Sequence, residues 1–149
     1  MSKENRTIEL ERTINAPLKL VWKVWTNPEH IAKWWSPKGM ETQINHYEFS
    51  EGNTWKYIMK LPNGQEFIAE GQFKEIEAPI KIVTEAHFRP KTEGVLLETL
   101  FENQGLQTKL KFNVVHPTEE YKLAQEQMGV DSGWEAAIDR FAECIWNLS

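Results

Sequence analysis

Four histidines, His30, His46, His87 and His116, a single cysteine, Cys144, and twenty-two carboxylates are the side chains here that could hold a metal, shuttle a proton or attack a carbonyl. No two histidines stand at the HxxH or HExxH spacing that brings both to one helix face, so no metal ligands are assigned. Cys144 has no second thiol for a CxxC pair or a disulfide. It also falls late in a helical pattern, away from the N-terminal end where a thiolate is favoured. Among the acids only Asp131 and Asp139 are aspartates, the short residue on which metal, phosphoryl-transfer and triad sites lean most. There is no Gly-x-Ser-x-Gly elbow and no glycine-rich phosphate loop. No catalytic residue and no cofactor are therefore assigned, although one inward carboxylate among Glu70, Glu85 and Glu98 would be enough for acid–base work.

Apolar recognition is the chemistry that remains. Trp55, Tyr57 and Met59 alternate with Lys56, Ile58 and Lys60, which puts two large aromatics and a soft thioether on one strand face. Phe67, Ala69, Gly71 and Phe73 share a face of the next strand. Trp134, Ala137, Ile138, Phe141, Ile145 and Leu148 recur at helical spacing, either as core or with the first turn lining a cavity. Trp34 and Trp35 are adjacent in a helix and point about 100° apart, so Trp35 is expected in the core and Trp34 at a cavity wall. The candidate lining is Trp34, Trp55, Tyr57, Met59, Phe73, Phe101, Trp134, Ile138 and Phe141. His87, beside Phe88 and Arg89 near a strand end, is either a polar group reaching that cavity or a surface imidazole.

These residues need a scaffold, and its punctuation is readable. Thr7 to Ile14 forms a first strand. Pro17 and Pro28 sit where a helix tolerates proline, at the first turn, and Thr26 or Asn27 caps the second of two short helices. From Glu41 the period changes to two: strands run over Glu41 to Phe49, Thr54 to Leu61, Glu66 to Ile76, Ile80 to Phe88, Val95 to Glu102 and Leu106 to Val115. Pro62-Asn63-Gly64 marks one hairpin, and a mid-strand Gly71 suggests a bend or bulge. Short connections make the sheet antiparallel. A polar helix, Glu119 to Gln127, ends near Gly129, where it would suit a mobile flap, and Ser132-Gly133-Trp134-Glu135 has the form of a capping box opening a long last helix. The result is an α+β domain spanning 1–149, with a curved sheet of about six to seven strands around a long C-terminal helix.

A length of 149 residues suits one domain with a full core. A net charge of −5 without a basic cluster argues against nucleic acid and anionic membrane surfaces. The absence of a long apolar run or a signal-like N-terminus points to the cytoplasm. Trp146, off the main apolar stripe, is compatible with a homodimer.

Several segments carry a resemblance: Ala16-Pro17 through Val21-Trp22, Thr26-Asn27-Pro28-Glu29, Trp34-Trp35 with Pro37 and Gly39, Pro62-Asn63-Gly64, Gly71 with Glu75-Ile76, and Gly133-Trp134. Together they resemble the START-like (SRPBCC) superfamily and, more narrowly, stand-alone homologues of the C-terminal domain of the activator of the 90-kDa heat-shock protein ATPase. One departure is Glu48-Phe49-Ser50-Glu51-Gly52-Asn53, where the family usually carries Asp-x-Arg-x-Gly-Gly. The resemblance implies the helix-grip fold, with a cavity between the last helix and the sheet. It also implies three functions to weigh: a binding protein for a small aromatic or lipid-like molecule, a chaperone-associated activator acting through its surface, and a cyclase- or aromatase-like enzyme.

Overall fold

The computed structural model describes residues 3–35, 40–89, 92–127 and 129–148. After a 3-10 turn at Glu4–Arg6, the elements run β1 (Thr7–Ile14), α1 (Leu18–Thr26), α2 (Pro28–Trp34), β2 (Glu41–Tyr47), β3 (Thr54–Lys60), β4 (Glu66–Glu77), β5 (Lys81–Arg89), β6 (Thr92–Gln104), β7 (Gln107–Val115), α3 (Glu119–Gln127) and α4 (Val130–Leu148). The seven strands form one antiparallel sheet in the order β1-β7-β6-β5-β4-β3-β2. Because β1 and β2 are its two edges, α1 and α2 carry the chain across one face. The hairpins then return strand by strand until β7 closes on β1, and α4 packs on that same face beside α1 and α2.

Local chemistry explains the corners. The Asn27 side chain accepts a hydrogen bond from the Glu29 N–H at 2.9 Å, ahead of Pro28 in the first turn of α2. Thr26 does not cap it; its hydroxyl donates back to the Trp22 carbonyl at 2.7 Å. Gly64 adopts φ +88° in the β3–β4 turn, a conformation available to glycine without a Cβ clash. α4 starts at Val130, two residues before the expected cap Ser132, directly after Gly129 turns the chain with φ +80°. The side chain of Ser132, like Pro37 and Gly39, lies outside the described residues. The apolar stripe of α4 is shorter than its periodicity suggests: Ala137, Ile138, Phe141 and Ile145 are buried, but Leu148 is half exposed.

Strand alternation holds on β3, where Trp55, Tyr57 and Met59 face the helices. The bulge expected at Gly71 falls instead between Phe73 and Glu75. Gly71 has another reason to be glycine. A Cβ there would stand 1.8 Å from the Glu85 carbonyl oxygen and 2.9 Å from the Trp55 ring. A contact that close to backbone cannot be relieved by a rotamer change, so Gly71→Ala should destabilise the fold by about 3 kcal/mol or more. Urea denaturation should show an earlier midpoint, and an unchanged midpoint would disprove this packing.

Candidate functional site

Three spaces stand out against the sheet. The first is a void of about 40 Å³ enclosed mainly by aromatic rings, among them Trp34, Trp35, Tyr47, Trp55, Tyr57 and Phe73. The second is an apolar pocket of about 240 Å³ at the start of α4, lined by Trp35, Met59, Phe88, Val95, Val114, Trp134 and Ala137, with Gly133 at its edge and His116, Gln125 and Arg140 supplying polar groups. The third is a polar depression of about 590 Å³ on the opposite face of the sheet, bordered by His46, Lys56, Glu70, Glu85 and His87.

The inner spaces exist because β4 and β5 carry small residues where β3 carries large ones. Ala69 and Ala86 are fully buried, and Gly71 is the cross-strand partner of both Trp55 and Ala86. The Trp55 indole can therefore lie across β4, and its Nε1–H donates to the Thr84 hydroxyl at 2.7 Å. That hydroxyl donates in turn to the Gln72 carbonyl at 3.0 Å, so the indole is held at both its apolar body and its polar tip.

Trp35 stands between the void and the pocket and lines both. Its ring meets Tyr57 edge-on at 5.0 Å, Trp134 at 5.6 Å and Trp55 at 5.8 Å, and lies nearly parallel to Phe88 at 6.4 Å. Trp34, expected at a cavity wall, borders only the small void, while Trp35, expected in the core, lines both spaces. Trp34 is 2 % exposed, with its Nε1–H on the Val24 carbonyl at 3.2 Å, while Trp35 is half-buried and reaches into the cavity region. Neighbouring side chains on a helix point about 100° apart, and the roll of α2 against α4 decides which of the two rings reaches the larger pocket.

The other sequence candidates divide. Trp34, Trp55, Tyr57 and Phe73 border the small void; Met59 and Trp134 line the pocket. Phe101, Ile138 and Phe141 are packed in the core and border neither space. His87 is on the far face. Alternation along β5 sends Thr84 and Ala86 inward and His87 outward, where its Nδ1 accepts from the Gly94 N–H at 3.0 Å and its Nε2 lies 3.3 Å from Glu85. The neighbour, Phe88, reaches the pocket instead.

The polar groups of the pocket were missed. Arg140 follows Ala137 by three residues, so it flanks the apolar stripe rather than opposing it, and that spacing was the available signal. His116 gave none, since it lies just beyond β7. It is 1 % exposed, its N–H donates to the Arg6 carbonyl at 2.8 Å, and Arg6 Nη1 donates to the His116 carbonyl at 2.8 Å. Its Nδ1–H also points at the Arg6 carbonyl, at 3.2 Å. Burial lowers its pKa, partly offset by the Arg6 hydrogen bond and the Glu126 charge, with Lys122 adding to the depression. Burial likewise raises the phenols of Tyr57 and Tyr47. Tyr47 donates to the Thr26 carbonyl at 2.6 Å, whereas Tyr57 donates to no group among the described residues. Among those residues no three His, Cys, Asp or Glu side chains gather into a metal-holding group.

A long helix laid on a seven-stranded antiparallel sheet, with aromatic-walled space between them, defines a helix-grip protein. The chain belongs to the family described as Activator of Hsp90 ATPase homolog 1-like protein, which matches residues 15–145. It is similar in fold to a protein from Arthrobacter aurescens solved in solution, at 21% identity and a TM-score of 0.88 over 99% of this chain and 90% of that one. It is also similar to a Nitrosomonas europaea protein, at 22% identity and a TM-score of 0.83 over 96% of each chain. DynU16, a protein in the dynemicin biosynthetic locus, is similar at 15% identity and a TM-score of 0.71, over 93% of this chain and 46% of that one. No curated protein sequence matches the chain.

Two measurements check this geometry. Tyr47→Phe should cost about 1 kcal/mol for the lost hydrogen bond, and Tyr57→Phe less than about 0.5 kcal/mol on the same principle; equal losses in chemical denaturation would contradict the assignment. His116 has a folded pKa below the unfolded value of about 6.5, so the unfolded chain binds the extra proton. Its contribution to stability is therefore complete above about pH 6.5 and is lost as the pH falls through the folded pKa. Denaturation at pH 7.5 and 5.5 should show a smaller drop for His116→Gln than for the native chain.

Proposed function

We propose that this protein binds a small hydrophobic molecule in the pocket between α4 and the sheet. The observation that carries this reading is the 240 Å³ apolar pocket itself, walled by Trp35, Phe88 and Trp134, with Met59 at its side. Aromatic walls with a few polar groups are what sites for small organic ligands present, and this volume lies just under the usual range of about 300–1,000 Å³. The ligand is accordingly compact, one or two rings rather than a long acyl chain or a steroid. The rings of Trp35, Trp134 and Phe88 contact one another edge-on and face-on, so they present both faces and edges to an aromatic guest. The likeness to DynU16, a protein in a biosynthetic locus, rests on fold alone at 15% identity and adds no ligand class.

A ligand burying about 200 Å² of apolar surface gains about 5 kcal/mol at the usual transfer coefficient, before ordering costs. Affinities for simple aromatics should then be no tighter than on the order of 10⁻⁴ M. Calorimetric titration with neutral 2-naphthamide should show saturable binding at or below this strength. Ala137→Leu, which pushes two methyls and a methine into the pocket from its α4 wall, should abolish binding while leaving the unfolding midpoint unchanged or raised. Undiminished binding by the Ala137→Leu protein, or none by the native protein, would refute the reading.

A further inference from the structure

Arg140 is the residue of this pocket that an apolar ligand alone does not explain. Its Nε–H donates to the Trp34 carbonyl at 3.3 Å, and Trp34 is immobilised in the core, so one edge of the guanidinium is anchored. Its two terminal nitrogens have no hydrogen-bond or ion-pair partner among the described residues. The carboxylates nearest in sequence do not occupy them: Asp139 pairs with Arg12 across to β1, and Glu143 lies one turn on and is exposed. Burial disfavours the charged form of Arg140, and the fields of Asp139 and Glu143 only partly offset this. The half-buried cation therefore stands at the wall of an apolar chamber with its hydrogen-bonding fork unused. Burial disfavours the charged form of His116, the other basic group of the pocket, and Arg140 is the one Lys or Arg among the described lining residues.

We propose that the pocket selects small aromatic monocarboxylates, with Arg140 holding the carboxylate through its two terminal nitrogens while the ring system lies between Trp35, Phe88 and Trp134. This rests on the ligand-binding reading above and adds the chemical class. A planar guanidinium fork matches a carboxylate bidentately, and such charge-assisted pairs are roughly twice as strong as neutral ones. An amide of the same shape presents a single acceptor oxygen and no charge, so the acid gains over it at this point alone.

The test compares 2-naphthoate with 2-naphthamide at pH 7.5 by calorimetry on the full chain. The native protein should bind the acid about tenfold more tightly. Arg140→Gln should remove that preference while leaving the amide's affinity within about twofold. Arg140→Lys, which keeps the charge but loses the fork, should retain part of the preference and serves as the readout if Arg140→Gln does not fold. Lys109→Gln, which removes a charge paired with Glu11 away from the pocket, should keep the full preference. Equal binding of acid and amide by the native protein, or a preference that survives Arg140→Gln, would overturn the assignment of the carboxylate and leave the pocket intact. Binding of neither compound would overturn the pocket reading together with this one.

Discussion

The rings of Trp25, Trp34 and Phe141 meet at centroid distances of 4.6 Å, 4.9 Å and 5.2 Å and come from α1, α2 and α4 respectively. Trp25 also touches Phe101 on β6 and Phe112 on β7. This one cluster ties three helices to each other and to the β7–β6 part of the sheet. Each fully buried large side chain contributes roughly 1.5–3 kcal/mol, so the cluster is a substantial part of the net stability of a domain this size. The position of α4 over the sheet, and thus the presence of any space beneath its first turns, follows from where these rings interlock.

Trp35 links that core to the site. It leaves the end of α2 next to Trp34, and its ring fills the gap between α4 and β3 that small residues on β4 and β5 leave open. On one side is a void that a few water-sized spheres would fill; on the other is a pocket of ligand size. The same anchoring reaches the polar side of the pocket, because the carbonyl that holds Arg140 belongs to Trp34. Packing and recognition therefore share residues: the core tryptophan both closes the helical layer and orients the cation at the pocket wall.

The outer face of the sheet shows a different regime. Its lysines and glutamates form cross-strand pairs such as Lys109 with Glu11 and Lys74 with Glu85, which are partly exposed and worth little individually. His46, Lys56, Glu70 and His87 fall on one row across four strands by register. Their polar character keeps that face wet, and the hydrophobic surface is gathered on the side of α1, α2 and α4.

Strand alternation, proline and glycine punctuation and the stripe of α4 were enough to read the α+β order and nearly every element boundary from the residues alone. Those signals are local: a two-residue period, a cap, a turn glycine. The inward set Trp55, Tyr57 and Met59 was readable for the same reason. What tertiary structure decided was the division between filled and open space. Phe101, Ile138 and Phe141 have the same chemistry as Met59 and Trp134, yet the former are core and the latter line a pocket, because free volume depends on how far α4 stands from the sheet. Trp35 rather than Trp34 lines the larger pocket through the roll of one short helix. Arg140 and His116 meet there from α4 and the end of β7, distant points of the chain that no spacing rule connects.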